Sequence, residues 1–375
     1  IKKKFFRYQA HQESECEIFE KLFSTYSHTK HSLLLTSGTN ALYLALISSG
    51  IKKGDEVLIP AYTFVGTAAS VLMAGGIPVI VNIDSQLSMS AEEVKNKITN
   101  KTKAIILVHM DGLVANVKGI KEIADKENLI LIEDVAQAIG ATYQNEPLGS
   151  IGKWGCYSLN ENKNISCGEG GILTTSDTKL FNLAFQLHDT PVQFSPTKKN
   201  ELTPNYNYLG NSMRVSEIQG VIMQEQLKKL PKILNNLRER KKIYSEILFK
   251  TDSFSIPKSY DPEGECGSSI HLQFHKVEDA IEKSRILREN KHYFGLITSR
   301  PAHSCWSWSM LLNDKAFLDP NISPYFKNEK KYQYSKIDWM TSIDIVSRTV
   351  KMDIDFDLNI EDTEKKALEI KRLIS

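Results

Sequence analysis

Several features that would fix a protein's class at once are missing from this sequence. There is no Cys-x-x-Cys pair: the five cysteines, Cys16, Cys156, Cys167, Cys266 and Cys305, are odd in number and scattered. That pattern argues against a disulfide framework and a structural zinc, and for a reducing, cytoplasmic environment. There is almost no charge excess, 47 Lys and Arg against 45 acidic residues, so no whole-molecule field would recruit nucleic acid or an anionic membrane surface. No apolar run exceeds strand length, and Ile1–Phe6 has no extended apolar core, so neither a membrane span nor a signal peptide is expected. Ile1 stands where a methionine would start a chain, so some preceding sequence is expected. No His, Cys and acid cluster has ligand spacing, which excludes an evident metal site. Internal repeats and low-complexity tracts are absent as well. What remains is a globular composition, 41% hydrophobic and 25% charged over 375 residues, enough for two domains and a large core.

Two periodicities alternate through the first two-thirds. The runs Glu56–Pro60, Pro78–Ile83, Ala104–Val108 and Leu129–Ile132 are almost continuously apolar and read as strands buried on both faces. Between them lie helical stretches: Ser90 and Glu93 form a capping-box pattern ahead of Val94 and Ile98, and Val117, Ile120, Ile123 and Ala124 make an apolar stripe. This alternation predicts an α/β layer with a largely parallel sheet, and functional residues just beyond the strand C-termini. A helical pattern from Ser216 meets Pro231, where a kink or break is expected, and resumes through Ile233, Leu237, Tyr244 and Leu248. The domain junction is placed there, giving residues 1–231 and 232–375. Pro191, Pro196 and Pro204 mark a long loop, and Leu368, Ile370 and Leu373 an amphipathic terminal helix.

Four constellations fall at those strand ends. Ser37-Gly38-Thr39 opens a helix, where free backbone N–H groups attract an anion such as phosphate. Asp134 ends the Leu129–Ile132 run with Gln137 at helical spacing; an acid there can pair with a protonated ring nitrogen and improve the ring as an electron sink. Phe64 follows another strand and can stack on a flat ring. Lys163 comes five residues after Ser158 and just before Gly168-Glu169-Gly170-Gly171, which suits a lysine that carries pyridoxal phosphate as a Schiff base. Each has an ordinary alternative: a plain N-cap, a helix-capping acid, a core aromatic, a solvated lysine. Their common order along one α/β layer favours the chemical reading. His109 and His188 read equally as structural histidines, and Arg214 as a carboxylate ligand or an interface ion pair.

Taken with Pro60-Ala61-Tyr62-Thr63-Phe64 and Glu133-Asp134-Val135-Ala136-Gln137, these motifs resemble the DegT-type sugar aminotransferases over nearly the whole chain. The resemblance implies the fold type I architecture of pyridoxal phosphate enzymes. A large domain with a mainly parallel seven-stranded sheet flanked by helices, carrying an N-terminal arm, would span 1–231, and a smaller α+β domain 232–375. It also implies Lys163 as the Schiff-base lysine, Asp134 as the ring-nitrogen partner, Gln137 beside the ring hydroxyl and Phe64 as the stacking ring. Ser37, Gly38, Thr39 and Ser158 would hold the cofactor's phosphate. A homodimer with shared sites is implied, in which the segment ending Asn211-Ser212-Met213-Arg214 reaches the partner's cofactor. Many relatives have asparagine where this chain has Ser212, so that contact passes to Ser212 or Asn211.

L-Glutamate is the implied amino donor and a keto or aldehyde sugar the acceptor. Phe5-Phe6-Arg7-Tyr8, Leu107-Val108-His109-Met110, Asp261-Pro262-Glu263-Gly264 and Ser347-Arg348-Thr349-Val350 are similar to a branch that aminates a C8-oxidised octulosonate in lipopolysaccharide biosynthesis. In that setting Arg7 would face an acidic sugar. The alternative acceptor is a nucleotide-linked 4-keto-6-deoxyhexose. A sugar dehydratase, which would carry histidine in place of Lys163, and a non-enzymatic regulator are the remaining readings.

Overall fold

The computed structural model describes residues 14–189, 208–249, 253–312, 316–317 and 334–375. Arg7 with its Phe5–Tyr8 stretch, Pro191, Pro196 and Pro204 lie outside those residues. The predicted apolar runs become β2 to β5 of one sheet, whose strands in chain order are β1 (His31–Leu35), β2 (Glu56–Pro60), β3 (Ile77–Val81), β4 (Thr102–Val108), β5 (Ile130–Asp134), β8 (Trp154–Ser158) and β9 (Gly171–Thr175). A short hairpin, β6 (Thr142–Tyr143) and β7 (Glu146–Pro147), interrupts the series. The order across the seven-stranded sheet is β1-β9-β8-β5-β4-β2-β3. From β3 to β8 every pairing is parallel, and only β9 runs against its neighbours.

Strand side chains alternate between faces, so a sheet covered on both sides demands apolar residues at consecutive positions. Leu33 and Leu35 enter one core while Leu34 enters the other. The first core is closed by α2 (Gly38–Ser48), α3 (Val65–Met73) and α6 (Thr178–Leu187), and the second by α1 (Glu15–Tyr26), α4 (Ala91–Lys97), α5 (Val117–Lys126) and the start of α7 (Glu217–Leu248). The capping box expected at α4 is half formed. Ser90 Oγ accepts from Glu93 N at 3.4 Å, but the Glu93 carboxylate takes Asn82 Nδ2 at 3.2 Å instead of returning to Ser90.

α7 does not break at Pro231; it is a single helix of 32 residues. Met223, Leu230 and Leu234 serve the second core, whereas Leu237, Tyr244 and Leu248 serve a third. This third core lies against an antiparallel sheet of β10 (Phe254–Ser255), β11 (Ser269–Phe274), β12 (Gly295–Leu296) and β13 (Thr349–Asp353), ordered β10-β11-β13-β12. The helices Val277–Glu289 and Ile360–Ile374 cover it. On the terminal helix the buried stripe is Thr363, Ala367, Ile370 and Ile374, while Leu368 points outward. The junction we propose at 231/232 therefore falls inside α7. Trp308, Trp339 and Val346 also return from beyond it to fill the first core. Among the described residues no helix is long and apolar enough to cross a membrane.

Candidate active site

A cavity of about 800 Å³ opens at the C-terminal ends of β2, β4, β5 and β8. Ser37, Gly38, Thr39, Phe64, Asp134, Gln137, Ser158 and Lys163 all line it. Parallel pairing explains their convergence, because Val108 stands opposite Asp134 and Asp134 opposite Cys156, so the loops after β4, β5 and β8 leave side by side.

At one end the N-terminus of α2 points into the cavity. Ser37 Oγ accepts from Asn40 N at 3.1 Å, which makes it the cap and leaves the preceding N–H groups of the first turn without helical partners. Gly38 is required by close approach: a Cβ there would lie 3.0 Å from Ser158 Cβ and 3.2 Å from the Tyr157 carbonyl oxygen. Gly171 serves the same packing, since the backbone of Ser37 crosses over it. The glycine run after Lys163 thus brings α2 and Ser158 together into one cradle of donors, with the positive end of the helix dipole behind it.

Asp134 lines the same cavity and is only 5% exposed. Its carboxylate accepts from Thr67 Oγ1 at 3.2 Å and Ala136 N at 3.1 Å. Thr67 is held in turn by Thr63, hydroxyl to hydroxyl at 2.8 Å. Burial raises the Asp134 pKa above the ordinary carboxylate range despite these bonds and the nearby Lys163. Such an acid gains most from a cationic N–H brought into its reach. The Gln137 amide oxygen accepts from Asp111 N at 3.1 Å, which leaves its NH₂ group as a donor. Phe64 presents a ring that is 45% exposed and leans on His303, centroids 5.4 Å apart. Lys163 lines the same cavity. Burial lowers its ammonium below the normal lysine value, Arg300 and Lys351 push the same way, and Asp134 opposes them. Its amine is therefore easier to free for nucleophilic and base chemistry.

Ser212 does not line this cavity; it is exposed and accepts from Arg214 Nη2 at 3.2 Å. Arg214 forms an ion pair with Asp189 at 3.1 Å within the same chain. His109 is fully buried, its Nδ1 accepting from Ala115 N at 3.1 Å, and it is not on the cavity lining. His188 is buried too, with Nδ1 against the Phe185 carbonyl.

The sequence reading missed a second group on the cavity wall. Asp111 has φ of 53° and is buried. Its Oδ1 accepts from Arg300 Nη1 at 3.0 Å and Lys351 Nζ at 3.2 Å; its Oδ2 accepts from Tyr62 OH at 2.5 Å and meets His271 Nε2 at 3.2 Å. Burial opposes ionisation of Asp111, but Lys351, His271 and Arg300 outweigh it and hold the carboxyl well below its ordinary range. Arg300 Nη2 also reaches His303 Nε2 at 3.2 Å. Asp111 follows the C-terminal end of β4 by three residues, which was a local signal for it; Arg300 and Lys351 had none.

These residues fit pyridoxal phosphate: donors for a phosphate, an open aromatic face, a buried acid short of a cationic partner, and a lysine with a weakened proton. Together with the seven-stranded sheet they define a fold type I pyridoxal phosphate protein. Bound here, the cofactor supplies an aldehyde for covalent attachment and a ring that accepts electrons. The chain belongs to the DegT/DnrJ/EryC1/StrS aminotransferase family, which it matches over residues 8–303. A GDP-perosamine synthase of Caulobacter vibrioides is 36% identical over 217 residues, and the chain spans 56% of that relative's length with 56% of its own. The UDP-N-acetyl-3-dehydro-alpha-D-glucosamine 3-aminotransferase of Acidithiobacillus ferrooxidans is 32% identical over 73% of this chain and 70% of its own. In fold, the aminotransferase PseC of Helicobacter pylori superposes with a TM-score of 0.79 at 21% identity, covering 98% of this chain and 92% of PseC.

Proposed function

We propose that the chain transfers an amino group from L-glutamate to the carbonyl carbon of a keto sugar carried on a nucleotide. The observation that carries the aminotransferase reading is the position of Lys163, with a depressed proton affinity, in one cavity with buried Asp134 and the α2 N-terminus. In this reading Lys163 Nζ takes the proton from the donor's α-carbon, Asp134 holds a proton on the ring nitrogen, Phe64 fixes the ring plane, and Gly38, Thr39 and Ser158 seat the phosphate. The nucleotide-linked acceptor is supported by the names of the GDP-perosamine synthases and of the UDP-sugar 3-aminotransferase. These names favour it over the C8-oxidised octulosonate suggested by the sequence. The presence of Lys163 argues against a dehydratase.

The protein would act as a homodimer in which Ser212, exposed on its own chain, reaches the partner's cofactor. A cytoplasmic location is supported by five cysteines that are all free. The test is direct. Purified protein loaded with pyridoxal phosphate should release 2-oxoglutarate from L-glutamate and then aminate a nucleotide-linked 4-keto-6-deoxyhexose faster than the oxidised octulosonate. Lys163→Ala should keep its circular dichroism spectrum while losing turnover and the lysine-dependent cofactor absorbance. An active alanine variant would overturn the assignment, and preference for the octulosonate would overturn the acceptor.

A further inference from the structure

Two buried hydroxyls stand behind Asp134 that the aminotransferase reading has not used. Thr63 and Thr67 are 0% and 1% exposed, and both belong to the cavity lining. Thr63 is the third residue after β2, and an antiparallel bridge between Tyr62 and Ser304 fixes its place. On either side of that bridge Ala61 O accepts from Cys305 N and Thr63 N donates to His303 O, each at 3.1 Å. Thr67 lies in the first turn of α3. The two hydroxyls meet at 2.8 Å, and Thr67 Oγ1 donates to Asp134 Oδ2 at 3.2 Å. An ionised carboxylate can only accept, and a hydroxyl has one hydrogen to give. The Thr67 hydrogen therefore goes to Asp134 and the Thr63 hydrogen to Thr67, so both are used. Were Asp134 to carry a proton and turn it toward Thr67, the chain of bonds would run backwards. Thr63 would then hold a buried hydrogen with no acceptor among the described residues, which is costly. The ordered hydroxyls thus favour the charged form of Asp134, together with the bond from Ala136 N and against the burial that raises its pKa.

We propose that Thr67, ordered by Thr63, is a positioning residue that keeps Asp134 ionised for the ring nitrogen of pyridoxal phosphate. The proposal rests on the aminotransferase reading and deepens it. Each Asp134 oxygen takes one donor, Oδ1 from Ala136 N and Oδ2 from Thr67, so acceptor capacity remains for a further N–H. Lys163, His109 and Cys156 are the titratable groups coupled to the same carboxylate, and a change at Thr67 leaves all three in place.

The test compares two cofactors on the full chain: pyridoxal phosphate, and 1-deazapyridoxal phosphate, in which a carbon replaces the ring nitrogen. Dissociation constants are read from the protein's fluorescence during titration. Thr67→Val is close in shape but lacks the hydroxyl. It should weaken pyridoxal phosphate by about tenfold, the scale of a lost bond to a charged group, and leave the deaza analogue within about twofold of wild type. Thr67→Ser should restore most of the affinity. Thr63→Val should act with the same selectivity but less strongly, because Thr63 reaches Asp134 only through Thr67. Equal losses for the two cofactors would mark a purely structural role and overturn the proposal, as would a Thr67→Val protein that binds pyridoxal phosphate like wild type. If Thr67→Val does not fold, Thr63→Val decides the matter by whether its loss is confined to the cofactor with a ring nitrogen. Failure of the underlying reading looks different. A wild type that holds both cofactors equally tightly refutes the pairing of Asp134 with the ring nitrogen, and the proposal falls with it.

Discussion

At the scale of single residues, two ionisable groups lead to measurements. Asp134 is a buried acid with hydroxyl and backbone donors but a pKa raised by burial, so its ionised form depends on the cation it faces. Asp134→Asn keeps the shape and removes that charge. Turnover should fall by roughly 100-fold or more, the scale of losing a group that controls a proton in the transition state, and steady-state rates at saturating substrate check it. His303 is pushed down to about 4, by burial first and Arg300 second. The unfolded chain takes up this proton near its ordinary value of about 6.5. As pH falls from 6.5 toward 4, the unfolded state therefore binds a proton that the folded state refuses, and stability is lost across that window. His303→Asn should remove this part of the loss. Urea midpoints of wild type and variant, compared from pH 7 to pH 4.5, should draw together as pH falls; a constant difference would refute the assignment.

At the scale of elements, the informative cases are those in which local rules and tertiary packing disagree. Pro231 sits in mid-helix yet α7 continues, because its side chain is exposed and the turns on either side are anchored by Leu230 and Leu234 in the second core and Leu237 in the third. The helix bears a missing N–H donor to join the two sheets. Pro231→Ala should stabilise the protein by about 1 kcal/mol or more, since proline in a helix interior costs ~3 kcal/mol and part of that is returned by a freer unfolded chain. Chemical denaturation would read the gain, and a destabilised variant would mean that the proline packs in a way its exposure does not reveal. Glu93 is the complementary case: the capping pattern was legible, but Asn82 competes for its carboxylate and takes it.

For the whole molecule, the helical pattern that begins at Ser216 turns only part of its apolar residues inward. Ile218, Val221 and Ile222, neighbours on one helical face, are 70%, 46% and 38% exposed, close to the segment that carries Ser212. In the homodimer we propose, a second copy of the chain would cover this face. It would also bring Ser212 toward a neighbouring cavity. The wild type should sediment as a dimer and the double variant Ile218→Glu, Ile222→Glu as a monomer whose affinity for pyridoxal phosphate is lower. A variant that stays dimeric would place the interface elsewhere.

The sequence by itself determined four of the sheet's seven strands, β2 to β5, and singled out Lys163, Asp134, Phe64, Ser158 and the Ser37–Thr39 turn. Those signals are local, because a strand buried on both faces must be apolar throughout and a strand end or helix start is marked by its immediate neighbours. The glycines after Lys163 were visible as letters, but only the crossing of Ser37 over Gly171 shows what they accommodate. Arg300 and Lys351 could be found only in three dimensions. Arg300 meets Asp111 across 189 residues of chain, through a backbone turn of positive φ and the register of β11 on β13. Pairing at that distance is decided by how two layers pack, and no window of sequence contains it.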